Sequence, residues 1–259
     1  MSIGNTLHIE NMPVIVAPGS SPQPWWGTSL RVFRTSLSRR DYPCHFGRIA
    51  LERGELFATF FEESVAPLAE SLAEFLDMSR QSPDRRIVLA AFGRPDDRLA
   101  SERSQAERFW AVLQSLHDCD ATAWPADVPP RPDHSAWEYS FHGVPMFVFA
   151  AAPSYLRRAS RNLGPGLVLL FQPRNVFNGI EGGTPRGVRA RLVIRERLRR
   201  WDAVEPHPDL ADYGDPSNNE WRQYFIPDDQ SRLYEQCPLH VKDPGADPMP
   251  AYEGQASKP

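Results

Sequence analysis

Lysine is almost missing from this chain of 259 residues, occurring only at positions 242 and 258, so nearly all its positive charge is arginine. Cysteine is scarce as well. The three, Cys44, Cys119 and Cys237, are odd in number and far apart. That excludes a disulfide framework and any zinc knuckle, and it favours a reducing cytoplasm. No apolar run approaches the about 18 residues that would span a bilayer. The opening MSIGNTLHIENMPV lacks a basic segment followed by an apolar one, so no signal peptide is expected. There is no G-x-G-x-x-G after a strand, no phosphate loop and no G-x-S-x-G elbow. A dinucleotide-dependent dehydrogenase, a kinase and an α/β-hydrolase are thereby disfavoured. Gly182-Gly183-Thr184-Pro185-Arg186-Gly187 is glycine-rich, but a proline and the absence of lysine make it a poor phosphate cradle and a better loop.

What is present is arginine, proline and aromatic side chains. The formal charge of −4 gives no reason to expect nucleic acid. The length allows one large domain or two small ones and a sizeable core. Arginine forks suit carboxylates and phosphates. They gather with aromatics, prolines and histidines between 137 and 226, around which the chain is organised.

Residues 1–40 read as an irregular arm broken by Pro13, Pro18, Pro22 and Pro24, with Trp25-Trp26-Gly27 anchoring it. A helix is predicted from Ser64 to Ser79, where Val65, Leu68, Leu72, Phe75 and Leu76 recur at three- and four-residue spacing. Residues 87–92 form a short apolar run that reads as a buried strand. A second helix runs from Ser101 to Cys119, capped by Ser101 or Ser104. A strand pair follows at 137–141 and 145–150, turning at Gly143. Then come a helix at 154–162, a strand at 167–171, a helix at 188–201 and a last strand at 221–226. The tail after Cys237 is rich in proline and glycine and reads as disordered. The interleaved order predicts one α+β domain, its helices packed on a central mixed sheet from the segments near 87, 138, 146, 168 and 222.

His207 is the first candidate for chemistry, because Pro206 and Pro208 stiffen the backbone around it. Its plain alternative is a loop histidine in a proline-rich protein. A non-haem iron site would need two histidines and a carboxylate. His134, His142, His207, His240, Asp133, Glu138 and Glu220 are available, without a diagnostic spacing. A haem site asks for less: one axial ligand, an apolar aromatic pocket, and cations for the propionates. His207, the surrounding aromatics and Arg157, Arg158, Arg161 and Arg174 supply those parts. Arg174 directly follows an apolar strand, so it is expected at a pocket edge or in an ion pair. Cys44, in a Pro-Cys turn, is the rival ligand, and Cys237-Pro238 is a second such pair.

Six segments carry a resemblance. They are Tyr42-Pro43-Cys44-x-Phe46-Gly47, Trp137-Glu138-Tyr139-x-Phe141-x-Gly143-x-Pro145, Ser160-Arg161, Phe171-Gln172-Pro173-Arg174-x-Val176-Phe177, Pro206-His207-Pro208-x-Leu210 and Trp221-Arg222-Gln223-Tyr224-Phe225. In that order, over roughly 40–240, the sequence resembles the YqcI/YcgG family of bacterial proteins. The resemblance implies a haem-binding catalytic domain over 41–242, between the arm at 1–40 and the tail at 243–259. Family members with an assigned role resemble haem-dependent N-oxygenases of natural-product biosynthesis, acting on a guanidine nitrogen, as in arginine N-hydroxylation, or on the amine of 2-aminoimidazole.

The enzyme so implied is a cytoplasmic, haem b-dependent monooxygenase. It would use O2 and an external electron donor on a small amine or guanidine substrate, with no nucleic-acid or membrane partner; a homodimer is compatible with it. His207 would bind the iron and Arg174, Arg161 and Arg157 the rest of the cofactor. Glu138 and Glu220 would meet the substrate cation as catalytic carboxylates, since a guanidinium prefers a bidentate carboxylate. Trp137, Phe141 and Trp221 would stack on it. A non-haem iron oxygenase and a haem sensor or carrier without turnover are the competing classes.

Overall fold

The computed structural model describes residues 6–99 and 101–242. Seven strands form one sheet: β1 (Thr6–Ile9), β2 (Met12–Ile15), β3 (Leu56–Phe61), β4 (Val88–Gly93), β5 (Tyr139–Phe141), β6 (Val144–Ala151) and β7 (Val168–Pro173). Their order across the sheet is β1-β2-β3-β4-β7-β6-β5. β2, β3 and β4 run parallel, and every other neighbouring pair is antiparallel. Parallel neighbours need long crossovers. Helices α1 (Pro24–Leu37) and α2 (His45–Glu52) make the first, and α3 (Ala66–Gln81) makes the second. Helices α4 (Glu102–Cys119) and α5 (Pro185–Trp201) complete the set. The expected α+β domain on a mixed sheet is thus observed.

Successive side chains of a strand point to opposite faces, and the sheet centre uses both. Phe57 and Phe61 of β3, Leu89 and Ala91 of β4, and Leu169 and Phe171 of β7 pack with α3 and α4. Leu56, Ala58 and Phe60, then Ala90 and Phe92, then Val168 and Leu170 pack with α1 and α2 on the other face. This two-sided burial is why these strands read as continuous apolar runs rather than as alternation. Helix α4 starts with the expected cap: the Ser101 hydroxyl accepts from the Ser104 N–H and the Ser104 hydroxyl from the Ser101 N–H.

Three local expectations give way. Residues 6–37 are not an irregular arm. β1 and β2 make a hairpin whose two turn residues, Glu10 and Asn11, both have positive φ (51° and 58°), the conformation that matches strand twist. β2 then joins the sheet beside β3, and Trp26 stacks on Phe60 at 4.1 Å between ring centroids, which is the anchoring foreseen for the tryptophan pair. The expected helix at 154–162 is a loop with one 3₁₀ turn at Ala159–Arg161. The Asp228 carboxylate accepts from the N–H groups of Leu156, Arg157 and Arg158, and so pulls the backbone away from helical bonding. The expected strand at 221–226 begins as a 3₁₀ turn, Glu220–Gln223, with Trp221, Tyr224 and Phe225 all turned into the core. The tail from 243 lies outside the described residues.

Candidate active site

A cavity of ≈ 680 Å³ opens on the α1–α2 face of the sheet. Its floor is Leu56, Val88, Phe147, Phe149 and Leu170 from four strands. Helix α2 and the inner side of α5 wall it, the latter through Gly187, Ala190, Arg191 and Ile194. Most of the surface is apolar, and nine charged side chains and several neutral polar groups stand in the lining.

Cys44 Sγ is one of those groups. Pro43 precedes it and α2 starts at the next residue, so Cys44 is the N-cap of that helix. The N–H groups of Phe46 and Gly47 lie against the sulfur, and Arg197 is near. Burial pushes the thiol above its ordinary range, while those N–H groups and Arg197 pull it back. A helix N-terminus favours negative charge. Tyr42 fixes the turn: its hydroxyl donates to Ser160 O at 2.9 Å and its carbonyl accepts from Arg197 at 3.2 Å.

Opposite stands an ion cluster. Tyr139, Met146 and Pro173 are aligned across β5, β6 and β7, so Glu138 and Arg174 each sit one residue from a common row. The Arg174 Nε donates to Glu138 Oε2 at 2.7 Å, and its Nη2 contacts Glu138 Oε1 and donates to Glu220 Oε2 at 3.0 Å. The guanidinium stacks under the Tyr213 ring, 3.7 Å from its centroid. Both carboxylates are buried, at 2% and 3% exposure. Burial raises both acids against the pull of Arg174, Glu220 to about 7. Burial opposes the Arg174 charge, but the two carboxylates outweigh it and hold the guanidinium above its usual range. The second Glu220 oxygen, Oε1, accepts from the Tyr224 hydroxyl at 3.0 Å. Arg174 and Glu220 line the cavity, whereas Glu138 supports Arg174 from behind.

The structure therefore brings Glu138, Glu220 and Arg174 together, as pairing of an arginine at a strand end required. It does not bring the other expected residues to the cavity. His207 is buried away from it: Nε2 donates to Ser231 O at 2.8 Å, and Nδ1 accepts from the Asp209 N–H at 3.2 Å. With both ring nitrogens engaged, it pins a loop. Arg161 spends its guanidinium on the carbonyls of Ala150, Tyr224 and Gln223, and Arg158 on those of Glu205, Pro227 and Asp229. Arg157 is exposed and lies outside the cavity lining. Trp137, Phe141 and Trp221 are buried in the core on the other face of the sheet. The aromatics that do line the cavity are Tyr42, Phe46, Phe147, Phe149, Phe177 and Tyr213. Phe177 and Phe46 stand in the same motifs as Arg174 and Cys44, and that proximity is the signal a sequence offers for them. Among the described residues, no three histidine, cysteine, aspartate or glutamate side chains converge as a group that could hold a metal ion.

The model of the YqcI/YcgG family matches residues 33–240. The chain belongs to this family. It is 36% identical to "Uncharacterized protein YqcI" and 35% identical to "Uncharacterized protein YcgG", both of Bacillus subtilis (strain 168), each over 76% of this chain and 80% of the relative. It is also 31% identical to the "Putative N(omega)-hydroxy-L-arginine synthase DcsA" of Streptomyces lavendulae, over 85% of this chain and 86% of that protein. No solved structure matches it. Among the described residues, no helix is long and apolar enough to cross a membrane.

Proposed function

We propose that the chain is a haem-dependent N-oxygenase, with Cys44 rather than His207 as the iron ligand, acting on a guanidine or amino-heterocycle nitrogen. The carrying observation is the ≈ 680 Å³ cavity whose lining holds both a helix-capping thiol, Cys44, and an ionisable acid, Glu220. The residues present fit the cofactor. The apolar floor suits a porphyrin, Cys44 is the one thiol in the lining, and Arg53, Arg86 and Arg186 stand in the same wall to meet carboxylate side groups. When bound, the haem would supply activation of O2 with electrons from an external reductant, and a thiolate ligand favours O–O cleavage.

The remaining roles belong to the protein. When Glu220 is ionised, Glu138 and Glu220 carry one negative charge more than Arg174 cancels. Because Glu138 is held behind Arg174, the excess is presented to the cavity by Glu220. A guanidinium or aminoimidazolium would be drawn there, between aromatic walls that favour a planar cation. Glu220 holds or releases a proton near neutral pH. Ionised, it holds the cation in place and can accept the proton that the nitrogen releases as it is oxidised. Positioning that nitrogen supplies much of the rate. Helix α5 covers the site and limits water.

The relative's name directs the first substrate to arginine, and 2-aminoimidazole is the small-ring alternative. The test is incubation of the haem-loaded protein with each substrate, O2 and a reductant, followed by mass spectrometry. A product carrying an added oxygen on nitrogen, lost in Glu220→Gln, supports the reading. Haem loading and reduction without any oxidised product would leave a sensor or carrier and overturn the oxygenase.

A further inference from the structure

Trp137 and Trp221 do not reach the cavity, but the aromatic cluster that holds them does. Tyr224 is fully buried, donates to Glu220 Oε1 at 3.0 Å, and meets the cavity-lining Phe147 edge-on at 5.5 Å. Trp137, also fully buried, lies 6.1 Å from Tyr224 between ring centroids, and Trp124 stacks on Trp137 at 6.3 Å and 20°. Trp124 is only partly buried. Tyrosine and tryptophan are, with cysteine, the side chains most easily oxidised by one electron. They stand here in an unbroken file from the cavity wall to the surface.

We propose that Tyr224, Trp137 and Trp124 form an electron-transfer path that discharges a one-electron oxidant left in the cavity when no substrate is consumed. This rests on the haem reading above.

The local chemistry of each member suits the task. A buried tyrosine gives up an electron readily only if its proton has somewhere to go, and the Glu220 carboxylate is in hydrogen-bond contact. The Trp137 Nε1 has no hydrogen-bond partner. Its radical cation therefore has no neighbour to take its proton and is not trapped there. The Trp124 Nε1 donates to Val128 O at 2.9 Å, beside solvent. A second branch from Tyr224 runs through Trp110, at 6.2 Å, to Trp221. The Arg222 guanidinium lies 4.5 Å over the Trp221 ring, and a positive charge there opposes a second one on the ring. The branch through Trp137 is the open one.

The electrons balance as follows. A peroxide-derived oxidant in the cavity takes one electron from Tyr224, whose hydroxyl proton passes to ionised Glu220. Trp137 then reduces the phenoxyl radical, the proton returns from Glu220 to Tyr224, and the positive charge rests on Trp137. Trp124 reduces Trp137 in turn. A soluble reductant such as ascorbate restores Trp124, or a nitroso spin trap captures its radical.

The experiment treats the haem-loaded full chain with hydrogen peroxide and a nitroso spin trap, without substrate. Electron paramagnetic resonance and peptide mapping locate the radical. The expected result is an adduct on Trp124 in the wild type, lost in Tyr224→Phe and in Trp137→Phe while the Soret band persists. Trp124→Phe should load haem normally and lose that band faster under peroxide. A Soret band with no Trp124 adduct, or an adduct that survives both upstream substitutions, would overturn the path and leave the rings as core packing. Should either upstream variant fail to fold, the other and Trp124→Phe still decide the matter. No Soret band in the wild type would overturn the haem reading, and the path with it.

Discussion

Arg174 and Glu220 form an ion pair of 3.0 Å inside the cavity wall, and Glu138 grips the same guanidinium from the other side. One cation for two buried acids leaves Glu220 protonating near pH 7. The sign of the consequence is fixed. A carboxylate raised from its ordinary 4.5 to about 7 stabilises the folded state fully below pH 4.5 and loses that contribution as pH rises through 7. The shift corresponds to roughly 3 kcal/mol. Glu220→Gln should therefore flatten the fall in stability across this window, as read by urea midpoints at several pH values. An unchanged pH profile would show that another group titrates there.

Removing the cation should be worse than removing an acid. Arg174→Met leaves two carboxylates buried without their partner, a change that costs about 3–5 kcal/mol in comparable sites. Arg174→Lys keeps the charge but loses the fork, and should recover only part of the loss. Chemical denaturation at neutral pH ranks the three proteins.

His207 should behave as a structural residue. His207→Ala loses its bonds to Ser231 and Asp209 and should cost about 1–3 kcal/mol. The absorption spectrum of the haem-loaded protein should not move, because the ring points away from the cavity. A lost or displaced Soret band in a folded His207→Ala protein would return the iron to this residue.

Helix α5 buries only Gly187 among its own residues, yet Ile194 faces the cavity. Ile194→Trp should fill space meant for a ligand while disturbing little of the core. Haem uptake should fall sharply with a thermal midpoint close to that of the wild type. Equal uptake would place the ligand elsewhere.

What the sequence discloses follows the local physics. The spacing of Leu68, Leu72, Phe75 and Leu76 and the capping serines of α4 are short-range signals, and both helices are found. The pairing expected of Arg174 is likewise found, with Glu138 and Glu220 as its partners, because a charge after a buried strand must find some. The hairpin at Glu10-Asn11 was hidden, since neither residue is a glycine and Pro13 masks β2. The loop at 154–162 depends on Asp228, some seventy positions away, which no local pattern reveals. His207 also depends on a partner remote in sequence. Flanking prolines do stiffen it, but the stiffness serves a hydrogen bond to Ser231. That Cys44 lines the cavity and His207 does not follows from the packing of α2 against the sheet, which no local pattern reveals.

The ferrous–CO spectrum of the haem-loaded protein tests the central claim most directly. A band at about 450 nm, typical of thiolate ligation, is expected in the wild type and in His207→Ala and should be absent from Cys44→Ser. A band of the imidazole type in the wild type, abolished by His207→Ala and untouched by Cys44→Ser, would contradict the account.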